Sequence, residues 1–227
     1  MSGRISRAFG RASRKGRAAL VVFVEAGDPS LEATERLLPA LAEAGADVVE
    51  LGVPFSDPIA DGPAIQRASE RSLASGTRLA DVLDLVGRAR AAGVDVPVVL
   101  FGYANPILAM GEAAFASRAA LAGADGALVT DLPPEEGSAF ARTLRSARLD
   151  PVFLLAPTSP PRRVKTVGRL SRGFVYVDAR HDHSVKTFLG KSGDWNGDDV
   201  VRMACETEAH ARLMAGKLYF YFVHEHA

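Results

Sequence analysis

From Ala18 onward the chain alternates short β-branched runs with longer amphipathic stretches, and Gly, Pro or Asp marks each junction. This rhythm constrains the fold more than any other feature. Apolar strands that each lead into an amphipathic helix belong to a parallel sheet whose faces the helices cover. The strand runs are residues 20–24, 48–53, 96–102, 126–129, 152–155 and 174–177. The helical stretches are 31–44, 79–92, 112–122, 135–147 and 161–170. In the first of these Ser30 can cap the start, Leu31, Leu38 and Leu41 repeat on one face, and Gly45 stops the helix. The phrase Ala-Gly-Ala-Asp stands at 44–47 and again at 122–125, each time closing a helix and opening a strand, a weak internal repetition consistent with a barrel. The expected fold class is therefore α/β, βα units around a parallel sheet.

Composition narrows the function. With 27 basic and 27 acidic side chains in 227 residues, the balanced charge argues against a nucleic-acid partner or a polybasic membrane surface, and 48% apolar residues exclude a disordered chain. The single cysteine, Cys205, cannot form an internal disulfide, and no uncharged run approaches the ~20 residues of a membrane span. A cytoplasmic protein is expected. The basic start (Arg4, Arg7, Arg11, Arg14, Lys15 and Arg17, with no acid before Glu25) has the look of a transit peptide. Against that reading, Ile5, Ala8, Phe9 and Ala12 fall at helical spacing, and a short N-terminal helix with a solvated basic face is preferred.

After Val177 the sequence changes character. All five His, Trp195 and Cys205 lie in residues 178–227, while all 13 Pro precede Arg162. The barrel is expected to be incomplete or altered after its sixth strand, with 178–227 as a divergent tail that holds a possible helix at 198–215 and a strand-like run at 217–223. His181-Asp182-His183 and His224-Glu225-His226 lack a defined fourth ligand, so they read as exposed histidines and no metal site is assigned.

The densest chemistry runs from Val48 through Pro63. Glu50 falls inside an apolar strand, where an ionised carboxylate is costly unless it faces a pocket or a partner. The following loop holds three prolines and two more carboxylates, Asp57 and Asp61, and in a barrel it rises over the C-terminal face where catalysis occurs. Glu50 and Asp61 can then oppose one another across a substrate. On the residues alone, a structural ion pair for Glu50 stays equally open.

The segment Glu50-Leu51-Gly52-Val53-Pro54-Phe55-Ser56-Asp57-Pro58, followed by Ala60-Asp61-Gly62-Pro63, resembles the signature of the tryptophan synthase alpha subunit family. Ala26-Gly27-Asp28-Pro29, Ile65-Gln66-Arg67-Ala68, Gly102-Tyr103-Ala104-Asn105-Pro106, Asp131-Leu132-Pro133-Pro134-Glu135-Glu136 and Ala156-Pro157-Thr158 agree with it in order and spacing, over roughly residues 4–177. The resemblance implies a TIM (β/α)8-type barrel, with residues 1–177 as the barrel region, and a lyase of tryptophan biosynthesis that cleaves indole-3-glycerol phosphate to indole and glyceraldehyde 3-phosphate by a retro-aldol reaction. No metal or organic cofactor takes part; pyridoxal phosphate is expected only in a partner beta subunit, within an alpha2-beta2 assembly. By the same resemblance Glu50 is the acid/base and Asp61 accepts the indole N–H, with Asp61 expected to stay solvated and ionised on its loop. Phe23, Phe101, Tyr103, Leu128, Leu154 and Tyr176 match the walls of the indole slot, though each is also a good core residue. Asp57, Pro58, Asn105 and Pro133 match the face that docks the beta subunit, though turn chemistry alone would place them in loops.

Three departures qualify the resemblance. The family's seventh and eighth strands, and the Gly-Val-Thr-Gly loop and Gly-rich turns that hold the substrate phosphate, are not visible after Val177. Weak or absent activity is expected on that ground, and a barrel that only binds the beta subunit, or a frameshifted remnant, stays open. Glu25 stands where the family commonly has a small or hydroxyl residue, and is expected to bring a third carboxylate near the site.

Overall fold

A computed structural model describes residues 3–156, 158–177, 186–188 and 191–193. The expected alternation is there. Helix α1 (Arg4–Arg14) precedes β1 (Val21–Glu25), α2 (Leu31–Glu43) and β2 (Val48–Gly52). Two helices, α3 (Pro63–Ala74) and α4 (Leu79–Ala91), lead to β3 (Val98–Gly102), and two more, α5 (Ala104–Met110) and α6 (Glu112–Ala122), lead to β4 (Gly126–Val129). Then follow α7 (Ser138–Ser146), β5 (Asp150–Val152), β6 (Leu154–Leu155), α8 (Pro161–Leu170) and β7 (Tyr176–Val177). Strands β1 to β5 form one parallel sheet in sequence order, and β6 pairs in parallel with β7. Between β5 and β6 only Phe153 intervenes, and its carbonyl accepts from Tyr176 N–H at 3.1 Å, so the wall of parallel strands continues across the break. This is the wall of an α/β barrel.

Alternation along the strands sorts side chains to two faces. Val22, Val24, Val49, Leu51, Val98, Leu100, Ala127 and Val129 join a cluster with helix residues such as Leu38, Leu83 and Phe115. Phe23, Val48, Val99, Phe101, Leu128 and Val152 form the second, interior cluster. Helix α1 plugs one end of this interior. Ile5 and Ala8 are fully buried within it, and Phe9 stacks on Phe174 with centroids 5.5 Å apart. The basic face of α1 is pinned from outside, with Arg4 bonded to Asp95 at 3.0 Å and to Asp125 at 3.2 Å. The segment thus serves the fold as its helical spacing predicts.

The Ala-Gly-Ala-Asp repeat has a physical basis. At each copy the glycine takes a left-handed conformation (Gly45 φ 101°, Gly123 φ 86°), and the next N–H reaches back five residues, Ala46 to the Leu41 carbonyl and Ala124 to that of Ala119. The aspartate that follows is buried and accepts a backbone N–H at the start of a strand: Asp47 from Leu20, just before β1, and Asp125 from Val98, the first residue of β3.

Several boundaries differ from expectation. The strand at 152–155 is split into β5 and β6, and the helix expected from 135 starts at Ser138, because Pro133 and Gly137 form a turn closed by Gly137 N–H to the Pro133 carbonyl at 2.8 Å. Helix α3 went unpredicted, and so did the antiparallel pair β8 (Lys186–Phe188) and β9 (Lys191–Gly193). The possible helix at 198–215, the run at 217–223 and both His clusters lie outside the described residues. No helix among the described residues is long and apolar enough to cross a membrane.

Candidate active site

Glu50 is the central residue of β2, between interior-facing Val48 and Gly52, and it pairs in register with Phe23 and Val99. Only 3% of it is exposed, and its Oε1 has no hydrogen-bond partner among the described residues. Burial raises the cost of its charged form and pushes the carboxyl up to about 7. Among the described residues no salt bridge includes Glu50, so the structural ion pair that the sequence left open is not found there. What remains is a buried carboxyl inside the barrel whose uncharged form burial favours.

Asp61 reaches the mouth on the loop from β2 to α3, and the loop is tied down at several points. Tyr103, immediately after β3, donates its hydroxyl hydrogen to Asp61 Oδ2 at 2.9 Å and accepts Ala60 N–H at 3.0 Å. Gln66 Nε2 donates to the Asp61 carbonyl at 2.9 Å. Ser69 accepts Phe55 N–H at 2.9 Å and donates to the Phe55 carbonyl at 3.1 Å, while Phe55 and Tyr103 pack with centroids 5.1 Å apart. The expectation of a well-solvated Asp61 is corrected here. Its Oδ1 is buried without a partner among the described residues, burial pushes its pKa up, and the Tyr103 hydrogen bond pulls it partly back. The physical reason is the folded loop, which screens the carboxyl from water that a free loop would admit.

Of the expected indole slot, Phe23, Phe101 and Leu128 share the interior cluster with Glu50's strand neighbours, and Leu154 and Tyr176 pack against it half-buried. Phe23 meets Phe101 edge-on, with centroids 5.2 Å apart and planes at 78°. Tyr103 stands apart from that cluster and acts as the tether of Asp61. Asp57 and Asn105 are exposed, Pro58 and Pro133 half-buried, all in segments leaving the C-terminal ends of β2, β3 and β4. Sequence reasoning missed two exposed apolar residues at this end, Ile59 at 83% and Leu108 at 59% exposure. It also gave no role to Gln66 and Ser69, whose tethering depends on the loop's fold.

Tyr103→Phe tests the tether. The variant keeps the ring but loses the hydrogen bond to Asp61, so the Asp61 pKa rises and the acid limb of the rate profile moves to higher pH. A fall of about tenfold in kcat/KM near neutrality is expected, measured across pH 5 to 9.

Fold and site together define a parallel α/β barrel of the enzyme class, with two carboxyl groups, Glu50 and Asp61, whose pKa values burial raises. A family profile described as "Tryptophan synthase alpha chain" matches residues 9–185, and the chain belongs to that family. A second profile, "Protein of unknown function (DUF1800)", matches 157–227. The tryptophan synthase alpha chain of Bordetella parapertussis is 50% identical over 214 residues, covering 94% of this chain and 73% of that protein. Among solved structures, tryptophan synthase subunit alpha from Legionella pneumophila matches with TM-score 0.75 and 40% identity, covering 78% of this chain and 68% of that one. The tryptophan synthase complex from Pyrococcus furiosus matches with TM-score 0.67 and 40% identity, over 70% of this chain and 65% of that chain.

Proposed function

We propose that this chain is a cytoplasmic lyase that cleaves indole-3-glycerol phosphate to indole and glyceraldehyde 3-phosphate without a cofactor of its own. The observation that carries the reading is Glu50, a buried carboxyl with an unpartnered oxygen, on the interior face of the same barrel mouth that holds Asp61. Protonated Glu50 gives its proton to indole C3, and the positive charge this creates on the ring is stabilised at N–H by the Asp61 carboxylate. The bond from C3 to the glycerol chain then breaks. Its electron pair restores the aromatic ring, the hydroxyl on the departing carbon becomes the aldehyde, and its proton returns to Glu50. Two carboxyl groups take two roles because one is fully enclosed and the other is held ready by a tyrosine.

The docking of a beta subunit belongs to the same proposal. Asp57, Pro58, Asn105 and Pro133, with exposed Ile59 and Leu108 among them, make an apolar and polar rim suited to a protein partner. The test of the lyase reading is indole release from indole-3-glycerol phosphate by the purified chain, with and without beta subunit; no indole in either case overturns it. The motif that would hold the phosphate is not visible after Val177, so the phosphate contributes little here. Removing it from the substrate is expected to change kcat/KM by less than about tenfold, where an intact anion site would lose far more.

A further inference from the structure

Glu25 ends β1 on the same interior face as Phe23 and is only 6% exposed. It pairs in register with Gly52, one same-face step beyond Glu50 toward the C-terminal rim, a rise of roughly 6.6 Å along the strand. Its carboxyl occupies the space a side chain at 52 would need: a Cβ built on Gly52 would strike Glu25 Oε2 and come within 2.7 Å of Phe23 Cζ. Glu25 Oε1 is buried with no hydrogen-bond partner among the described residues. The mechanism above leaves this group unused. An unpartnered buried carboxyl oxygen is destabilising, and native structures tolerate one where a ligand completes it.

We infer that Glu25 is a specificity residue of the lyase site, hydrogen-bonding the second hydroxyl of the substrate's glycerol chain, the one beyond the carbon that Glu50 serves. The inference rests on the lyase reading and deepens it. The strand order places the groups in sequence: Glu50 at the level of Phe23, Glu25 one step nearer the rim, and Asp61 above them on its loop. A glycerol chain that leaves indole C3 beside Glu50 and runs toward the rim passes Glu25 with its next hydroxyl. Burial, then the nearby charges of Asp61 and Asp28, push Glu25 up to about 8, so at neutral pH it holds a proton and can both donate to and accept from a hydroxyl. Asp28 itself is bonded by the Arg71 guanidinium at 2.7 and 2.9 Å.

The test compares indole-3-glycerol phosphate with its analogue lacking only the second hydroxyl, which can undergo the same cleavage. The wild type is expected to favour the hydroxylated substrate by about tenfold or more in kcat/KM. In E25A and E25V that ratio collapses toward one, while E25Q, whose amide also donates and accepts, retains it. Both apolar variants should melt at or above the wild-type temperature, and either one that melts cooperatively suffices. A merely structural role would lower kcat/KM for both substrates alike and leave the ratio unmoved, which would overturn the assignment of Glu25 alone. No indole from the wild type with either substrate would instead overturn the lyase reading on which it rests.

Discussion

Glu50→Gln is expected to lower kcat/KM for indole release by about a hundred- to ten-thousand-fold, because the amide cannot pass a proton to and from C3. The loss should come without damage to the fold. Gln is nearly isosteric, and it removes a buried carboxyl whose pKa burial has lifted to about 7. The sign of the stability change follows from linkage. A carboxyl raised in the folded state stabilises fully at pH below its unfolded value, and that contribution is lost as pH rises toward the folded pKa near 7. Thermal melts of Glu50→Gln and wild type should therefore diverge with pH, the variant gaining more at pH 8 than at pH 5. A variant that loses both activity and cooperative melting would point to a structural role.

The second large effect falls on the fold. Asp125 is the hub under the sheet: Arg90 donates to it at 2.7 Å, Arg4 at 3.2 Å, and Val98 N–H at 2.9 Å. The Arg90 side chain is only 14% exposed, and the first residues of β3 and the plug helix α1 are both anchored there. Asp125→Ala leaves the largely buried Arg90 guanidinium without its counter-charge, though still bonded to the Gly123, Val94 and Val96 carbonyls, and leaves the Val98 N–H without its acceptor. A loss of about 3–5 kcal/mol is expected, as is usual when one partner of a buried pair is removed. For a chain of this size that lowers Tm by about 10 °C, read by circular dichroism or calorimetry. The much more exposed pair Arg88 with Glu35, 2.8 Å apart, serves as the control, and its removal should change Tm by a degree or two.

These two residues also show what the sequence could and could not reveal. The apolar run around Glu50 is a five-residue buried strand, so one acid within it stood out against its neighbours. Asp125 was visible only as the end of a repeated phrase, because its partners Arg4 and Arg90 are 121 and 35 residues away. Helix α3 escaped for a related reason. Its buried positions include Ser69 and Ser72, which hydrogen-bond the Phe55 and Ala26 backbone and break the apolar periodicity that marks a buried face. Helix α5 has seven residues, too few for a periodic pattern.

The site was legible in kind and less so in state. Phe23, Phe101 and Leu128 gather on one interior face, as strand alternation requires. The environment of Asp61 depends on Tyr103, 42 positions on, and on the folded loop around it, so its partial burial could not be read from composition. Glu25 was visible as a departure, but its approach to Gly52 on the neighbouring strand appears only with the register of β1 on β2.

The measurement that bears most directly on the account is the pH dependence of kcat/KM for indole release by the wild-type chain. A buried acid that must be protonated to attack indole C3 predicts a rate that falls on the alkaline side with an apparent pKa near 7. A profile flat from pH 5 to 9 in a chain that does release indole would contradict it.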